Sequence, residues 1–566
     1  MKAGKIIGIA FLILLLLAMT VYTVLFGGQL RKEDSGDEGT VPVAADPESR
    51  GLTAEITLKG STAEINGKGA SVSGRTVTIT EGGKYSISGN LDEGQIRVST
   101  ADKKDVILVL DGVTVTNSQD AALYVENSHG LTVYLSEGTV NVFRSGEETD
   151  ISYASASTSG SGGALTFCDD ASVSGEGRLE VYGYINNGIH CSNDLLIDSG
   201  DILVKAVNNG IKGKDSLTIE GGTIDITSGG DALKSDDEEG DGTGTVTVNG
   251  GNISAYSLDE CIKATTLITL KGGELKLECR DDAVNCDGDI LICGSVITAD
   301  CFDDAVHADG DVTIDSGEIT VLSSNEGIEG KNITVNGGSI SVTASDDGFN
   351  CTSGEGGGFG WRPGSAYSDG DLPMLIFNGG TVYVNAQGDG LDSNGNIQVN
   401  GGTVIVDGPT GSGNGALDSG TERGGTITVS GGTLLAVGST GMAETPDSSS
   451  EQYSFYYGVS FQAGTEMKIT DSSGRTLLEH TAAKSGGCIV FSSPELQKDG
   501  EYTLQVGSSS YDIIITDKVT SYGQGGGMMG GFGGGPGGFG GGQGGFGGGP
   551  GGQQPPGGFG GGPGGP

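Results

Sequence analysis

Pairs of adjacent acidic or amide residues recur along this chain, with second members at Asn187, Asn209, Glu260, Asp282, Asp304, Glu326 and Asp347, and a Gly-Asp pair stands at the same register at Asp231 and Asp389. Two carboxylates at one register of successive repeats are oxygen donors for a hard divalent cation. Calcium suits them best, because it accepts six to eight oxygens at loose geometry, whereas magnesium demands a compact octahedron. The expected ligands are Asp231, Asp259, Glu260, Asp281, Asp282, Asp303, Asp304, Glu326, Asp346, Asp347 and Asp389. Asn186-Asn187 and Asn208-Asn209 lack charge and read as scaffold. The competing reading of any single pair is turn chemistry, since short polar side chains bond back to the backbone.

A column three residues beyond the second member carries His190, Lys212, Lys234, Lys263, Asn285, His307, Glu329, Asn350 and Asp392. Lys212, Lys234 and Lys263 either pair with neighbouring acids or form an ammonium row along which an acidic sugar chain could run. Arg280 stands beside the acid pairs. Trp361 and Tyr367 lie in an inserted, Gly-rich stretch from Thr352 to Pro373. Their flat apolar faces suit sugar rings, or Trp361 folds back over the core.

The elements that must position these residues follow from the spacing. Most second members lie about 22 residues apart, the signature of a solenoid. RDDAVNCDGDILICGSVITADC, FDDAVHADGDVTIDSGEITVLS and SNEGIEGKNITVNGGSISVTAS superimpose without a gap. Alternation predicts Ile319, Val321 and Ser323 inward, with Glu318, Thr320 and Leu322 outward. Small residues align at that inward corner as Ala206, Ser228, Ser257, Cys279, Cys301, Ser323 and Ala344. Cys279 and Cys301 are buried thiols there, or a disulfide. Paired glycines mark another corner. The expected fold class is all-β, a right-handed parallel β-helix of about 22 residues per coil. It carries capping β segments, an N-terminal transmembrane helix and a disordered Gly-rich tail. In such a stack equivalent residues sit about 4.8 Å apart, so like charges repel by roughly 3.5 kcal/mol at an effective dielectric of 20.

Composition narrows the classes of function. The 566 residues include 109 Gly, and the formal charge is −44, which disfavours nucleic acid as a partner because phosphate binding relies on Lys and Arg. Nine Cys without a CxxC spacing indicate neither a dithiol redox motif nor structural zinc. Ile6 to Phe26 is uncharged and preceded by Lys2 and Lys5, as in a signal anchor or a signal peptide. The expected organisation is 1–28 anchor or signal, 29–50 linker, 51–174 irregular first coils and cap, 175–440 regular array, 441–520 C-terminal cap or small β domain, and 521–566 tail. The bulk of the chain is then extracytoplasmic, at the cell surface through a membrane anchor or secreted, and monomeric.

The repeats of the type DDAV…DGDI…SGEI, the opening YSISGNLDEGQIRV and the closing FSSPELQKDGEYTL resemble a known family across roughly Leu52 to Thr520. It comprises secreted bacterial carbohydrate-binding proteins with a pectate-lyase-like fold that bind cellulose or acidic sugars and carry calcium. The resemblance implies calcium at the acidic pairs, though the Asn-Asn coils depart from it. It also implies a cell-wall polysaccharide, cellulosic or acidic, as partner, bound without catalysis. A calcium-dependent lyase is the competing enzyme reading, because Lys263, Arg280 and His307 lie in the right coils to act as a base. A structural surface adhesin is the third. Neither Gly-His-Gly nor Arg-x-Lys, which pectin hydrolases need, occurs in the chain.

Overall fold

The computed structural model describes residues 51–151, 162–240, 242–352 and 372–523. Within the regular array each coil contributes three short strands separated by tight corners. One coil supplies Asp194–Ile197, Asp201–Ala206 and Ile211–Gly213, and the next supplies Ser216–Ile219, Thr223–Ser228 and Leu233–Ser235. These stack as three parallel pairs, in registers such as Asp194↔Ser216, Asp201↔Thr223 and Ile211↔Leu233. The first two columns of strands belong to a 29-stranded sheet and the third to a 15-stranded sheet.

Alternation dictates what fills the interior. In each coil every second residue turns inward, so Ile202, Val204, Ile224, Ile226, Val246 and Val248 are almost wholly buried in one continuous apolar cluster. The glycine corners arise because the backbones of neighbouring coils approach too closely for a side chain. A Cβ on Gly402, whose φ is +78°, would lie 2.6 Å from the Gly380 carbonyl oxygen.

The expected fold class requires correction. The described residues are all-β, but the sheets are mixed. Ala54–Gly60 pairs antiparallel with Ala63–Gly67, and Thr433–Gly438 pairs antiparallel with Gly486–Ser492. The physical reason is that both ends of a parallel stack would otherwise present unpaired edges. Among the described residues no helix is long and apolar enough to cross a membrane, so a transmembrane helix is no part of the described fold. The segment Ile6 to Phe26, the linker and the Gly-rich tail lie outside the described residues.

The pleat also departs from expectation at one position. Ile319 and Val321 are buried, but Ser323 is exposed, and Ser324 takes the inward place with 3% exposure. A register shift between Ala299 and Asp300 on the neighbouring strand inserts an extra residue here, a bulge that turns Leu322 and Ser323 both outward. Ala206, Ser228, Ser257, Cys279, Cys301 and Ala344 are buried, and all nine cysteines are free.

After the array, Glu466–Asp471, Thr476–Thr481, Glu501–Val506 and Ser509–Ile514 form a four-stranded antiparallel sheet. It encloses a second apolar cluster that includes Leu435, Val437, Phe455, Met467 and Ile469, with Ile405 packed against it. Because Ile405 and Leu435 are register partners on the strands Thr403–Asp407 and Thr433–Gly438, this segment covers the side of the last coils. A polar contact accompanies it: Asp407, 1% exposed, accepts the Tyr383 hydroxyl at 2.9 Å and meets His480 Nε2 at 3.1 Å.

Candidate functional site

The acid pairs occupy the corner that leads from each longer strand into a short strand of the 15-stranded sheet. The first members are tied by main-chain hydrogen bonds, Asn208 N to Asn186 O at 3.2 Å, Gly230 N to Asn208 O at 3.1 Å, Asn325 N to Asp303 O at 2.8 Å and Asp346 N to Asn325 O at 2.8 Å. The second members are tied through their side chains. Asn187 Oδ1 accepts the Asn209 N–H at 3.1 Å, Asn209 Oδ1 that of Asp231 at 3.0 Å, Asp282 Oδ1 that of Asp304 at 2.8 Å, and Asp304 Oδ1 that of Glu326 at 3.2 Å. One oxygen of these side chains thus holds the next coil in register. Asn performs that service without charge, which explains the two Asn-Asn coils as scaffold. In Asp282 and Asp304 the second oxygen remains for other partners.

The column three residues on is a true ladder. His190↔Lys212, Lys212↔Lys234, Lys234↔Lys263, Lys263↔Asn285, Asn285↔His307, His307↔Glu329, Glu329↔Asn350, Asn350↔Asp392 and Asp392↔Asp418 are consecutive register partners. Its lysines are ion-paired. Lys212 contacts Asp236 at 2.5 Å, Lys234 contacts Asp231 at 2.5 Å, and Lys263 lies 3.4 Å from Glu260 and 3.2 Å from Asp287. His307 Nδ1 lies 3.0 Å from Asp304 Oδ2, and Asn285 donates to Asp282 Oδ2. Charge therefore changes sign along the ladder, from basic at Lys212 to acidic at Asp392 and Asp418.

Five groups of side chains bring donor atoms within 4.8 Å of one another: Asp231 with Asp259 and Glu260; Asp281 with Asp282 and Asp303; Asp282 with Asp304 and His307; Asp304 with Glu326 and Glu329; and Asp347 with Asp389 and Asp392. Every expected metal ligand except Asp346 enters such a group. Burial pushes Asp282 up to about 7 and Asp347 and Asp389 each up to about 6. Burial, reinforced by the charge of Asp347, pushes Asp392 up to about 8. In the Asp231–Glu260 pair, burial drives the Asp231 carboxyl upward. His307, Glu329 and Asp392 enter these groups but were absent from the expected ligands, and Asp418, which continues the ladder outside the groups, was not anticipated either. Asp418 escaped because a longer connection precedes its coil, although the tripeptide Leu-Asp-Ser at Leu391–Ser393 recurs at Leu417–Ser419. Trp361 and Tyr367 lie outside the described residues.

The donor set fits a hard cation. It is almost entirely oxygen, the ligand class of calcium rather than of soft metals. Two buried oxygens there also lack a hydrogen-bond partner among the described residues: Asp231 Oδ1, in a residue 1% exposed, and Asn350 Oδ1, in a residue 8% exposed between Glu329 and Asp392. Unsatisfied buried acceptors cost about 1 to 3 kcal/mol each, which a bound cation would offset.

His190 opens the ladder with a different character. Burial, aided by the charge of Lys212, pulls its pKa down to about 4 from 6.5. The unfolded chain takes up this proton first as the pH falls, so stability present in full above pH 6.5 is lost progressively towards pH 4. The loss from this group approaches about 3 kcal/mol. His190→Asn is expected to lose less stability than the wild type between pH 7 and pH 4.5 in urea denaturation, and equal losses would refute the assignment.

Comparison with known proteins gives one family match and two likenesses. Residues 73–348 match the family model described as carbohydrate-binding domain-containing protein. A carbohydrate-binding domain-containing protein of Acetivibrio thermocellus is 37% identical over 138 residues, 24% of this chain. The chain spans about half the length of that curated relative, 48%. A solved structure described as the polysaccharide lyase-like protein from C. thermocellum, gadolinium derivative, is 35% identical, covering 43% of this chain and 97% of that one at a TM-score of 0.40.

Proposed function

We propose that this chain is an extracellular, calcium-dependent, non-catalytic carbohydrate-binding protein that recognises a cell-wall polysaccharide, cellulose or a polyuronate such as polygalacturonate. The match of residues 73–348 to a carbohydrate-binding family model supports the ligand class. The observation that carries the calcium requirement is the distribution of oxygen-donor groups over successive coils from Asp231 to Asp392. A catalyst needs one distinctive centre, whereas a ladder of similar sites suits a polymer held at several points. Asp231, Asp259, Glu260, Asp281, Asp282, Asp303, Asp304, Glu326, Asp347 and Asp389 would hold the ions. Calcium would supply charge neutralisation along the ladder and open coordination positions for sugar oxygens. Export rests on the apolar segment Ile6 to Phe26 with Lys2 and Lys5 before it.

Titration of chelator-treated protein with calcium chloride, followed by calorimetry, is the direct test. Saturable heat and a higher melting temperature are expected, and equal melting in chelator and in calcium would sink the ion requirement. A glycan array read with and without chelator then identifies the polysaccharide.

The lyase reading draws support from Arg280, which is exposed and enters no ion pair among the described residues, beside the Asp281, Asp282 and Asp303 group. The other candidate bases are engaged: Lys263 by Glu260 and Asp287, and His307 by Asp304, whose hydrogen bond raises the imidazole to about 9. Incubation with polygalacturonate and calcium is expected to give no rise in unsaturated-product absorbance. A steady rise would establish the enzyme instead.

A further inference from the structure

Among the described residues most large apolar side chains are inside, and eight are exposed. Phe302 is 81% exposed and Leu322 54%, the two highest values among the large hydrophobic residues described. They lie in consecutive coils at one corner, where Cys301 N bonds to Ser323 O at 3.0 Å. Phe302 immediately precedes Asp303, and Arg280 immediately precedes Asp281 one coil earlier; Asp303 N and Asp281 O are 3.5 Å apart. Leu322 faces out by the ordinary alternation, and the local bulge sets the exposed Ser323 beside it. Leaving an aromatic ring in water forgoes roughly 1.5 to 3 kcal/mol of burial, and an exposed apolar group at a bulge beside polar donors is the composition of a ligand site.

Resting on the polysaccharide reading above, we propose that Phe302, with Leu322 and Arg280, is the subsite that orients and selects an acidic pyranose chain. The negative face of the Phe302 ring meets the weakly positive C–H face of a pyranose, and Leu322 widens that apolar platform. Arg280, held on the adjacent coil and without a carboxylate partner among the described residues, presents two parallel N–H donors to a uronate carboxylate. This cation matters in a chain of formal charge −44, because the paired lysines of the ladder leave little free positive charge to receive an anionic sugar. A platform at one corner and a guanidinium one coil away fix which ring face is read and which substituent is demanded. The subsite therefore favours a uronate over a neutral glucan.

The test is equilibrium binding of calcium-loaded full-length protein to polygalacturonate and to cellulose, for the wild type, Phe302→Ala, Phe302→Trp and Arg280→Lys. Phe302→Ala is expected to weaken polygalacturonate binding on the order of tenfold, and Phe302→Trp to restore it. Arg280→Lys keeps the charge and loses the planar fork, so it is expected to narrow the preference for polygalacturonate over cellulose. The calcium-induced shift in melting temperature is expected to be the same in all four proteins, as these side chains hold no ion. Polygalacturonate binding by the wild type that survives unchanged in Phe302→Ala would overturn the subsite and leave the polysaccharide reading intact. Binding of cellulose alone, with the same dependence on Phe302, would overturn the acidic class. Binding of neither polymer would overturn both. A concentration-dependent dimer of the wild type that Phe302→Ala abolishes would assign the patch to a second copy of the chain instead.

Discussion

Replacing Asp281, Asp282, Asp303 and Asp304 together by Asn is expected to abolish calcium binding at the centre of the ladder and retention on polygalacturonate, while leaving the fold intact. The structural half rests on the chain's own precedent. Asn187 and Asn209 already bond the next coil through Oδ1 at 3.1 and 3.0 Å, as Asp282 and Asp304 do at 2.8 and 3.2 Å. An amide therefore keeps the register bond and loses only the charge. Removing four clustered charges relieves repulsion of roughly 1 kcal/mol per solvated neighbour pair, and more where the pair is buried. The variant is expected to melt at or above the temperature of the calcium-free wild type. What it loses is the response to calcium, which for a ligand at a thousand times its Kd is about 4 kcal/mol of stabilisation. Melting curves in chelator and in calcium, with retention on immobilised polygalacturonate, read both halves. A folded variant that still gains stability from calcium and still binds would refute the ion ladder. One that melts well below the calcium-free wild type would refute the equivalence of Asn and Asp as register pins.

The part of this site that repeats was legible in the sequence, and the part that interrupts the repeat was not. Asp282, Asp304 and His307 could be assigned to one neighbourhood because a constant spacing puts equivalent residues on adjacent strands, whatever fills the rest of the coil. The inward column of small residues was readable for the same reason. The bulge at Leu322 left no trace, since the repeats from Phe302 and from Ser324 have equal length and only the pairing shifts. Phe302 was passed over because its column holds Leu258, Arg280, Phe302 and Ser324, which share no chemistry. The two roles of the second member, one oxygen as scaffold and one as possible ligand, need coordinates to separate. The antiparallel ends carried too little alternation to reveal the direction of pairing. His480 and Asp407 are 73 residues apart, and no periodic signal links them.

That last pair carries the largest expected effect on stability. Asp407 is 1% exposed, and both its oxygens face His480 Nε2 at 3.1 Å while Oδ2 also accepts the Tyr383 hydroxyl at 2.9 Å. Close by, Lys484 donates to the Ala386 carbonyl, and burial draws its pKa down to about 8. Apolar contacts around Ile405, Leu435 and Val437 bring the C-terminal segment onto the last coils, but they are non-directional and do not select one seating. The Asp407 contact is directional and joins three separate strands, its own and those of Tyr383 and His480, and so fixes the seating. Asp407→Ala leaves the half-buried imidazole and phenol without their acceptor, and breaking a buried pair from one side costs about 3 to 5 kcal/mol. Asp407→Asn keeps one acceptor and is expected to cost less, and His480→Ala combined with Asp407→Ala is expected to cost less than the sum of the two singles. Urea denaturation of the four variants measures the coupling, and limited proteolysis reports whether the segment after Met442 becomes accessible before the array unfolds. Additive losses, or a loss below about 1 kcal/mol for Asp407→Ala, would show that apolar packing alone seats the segment.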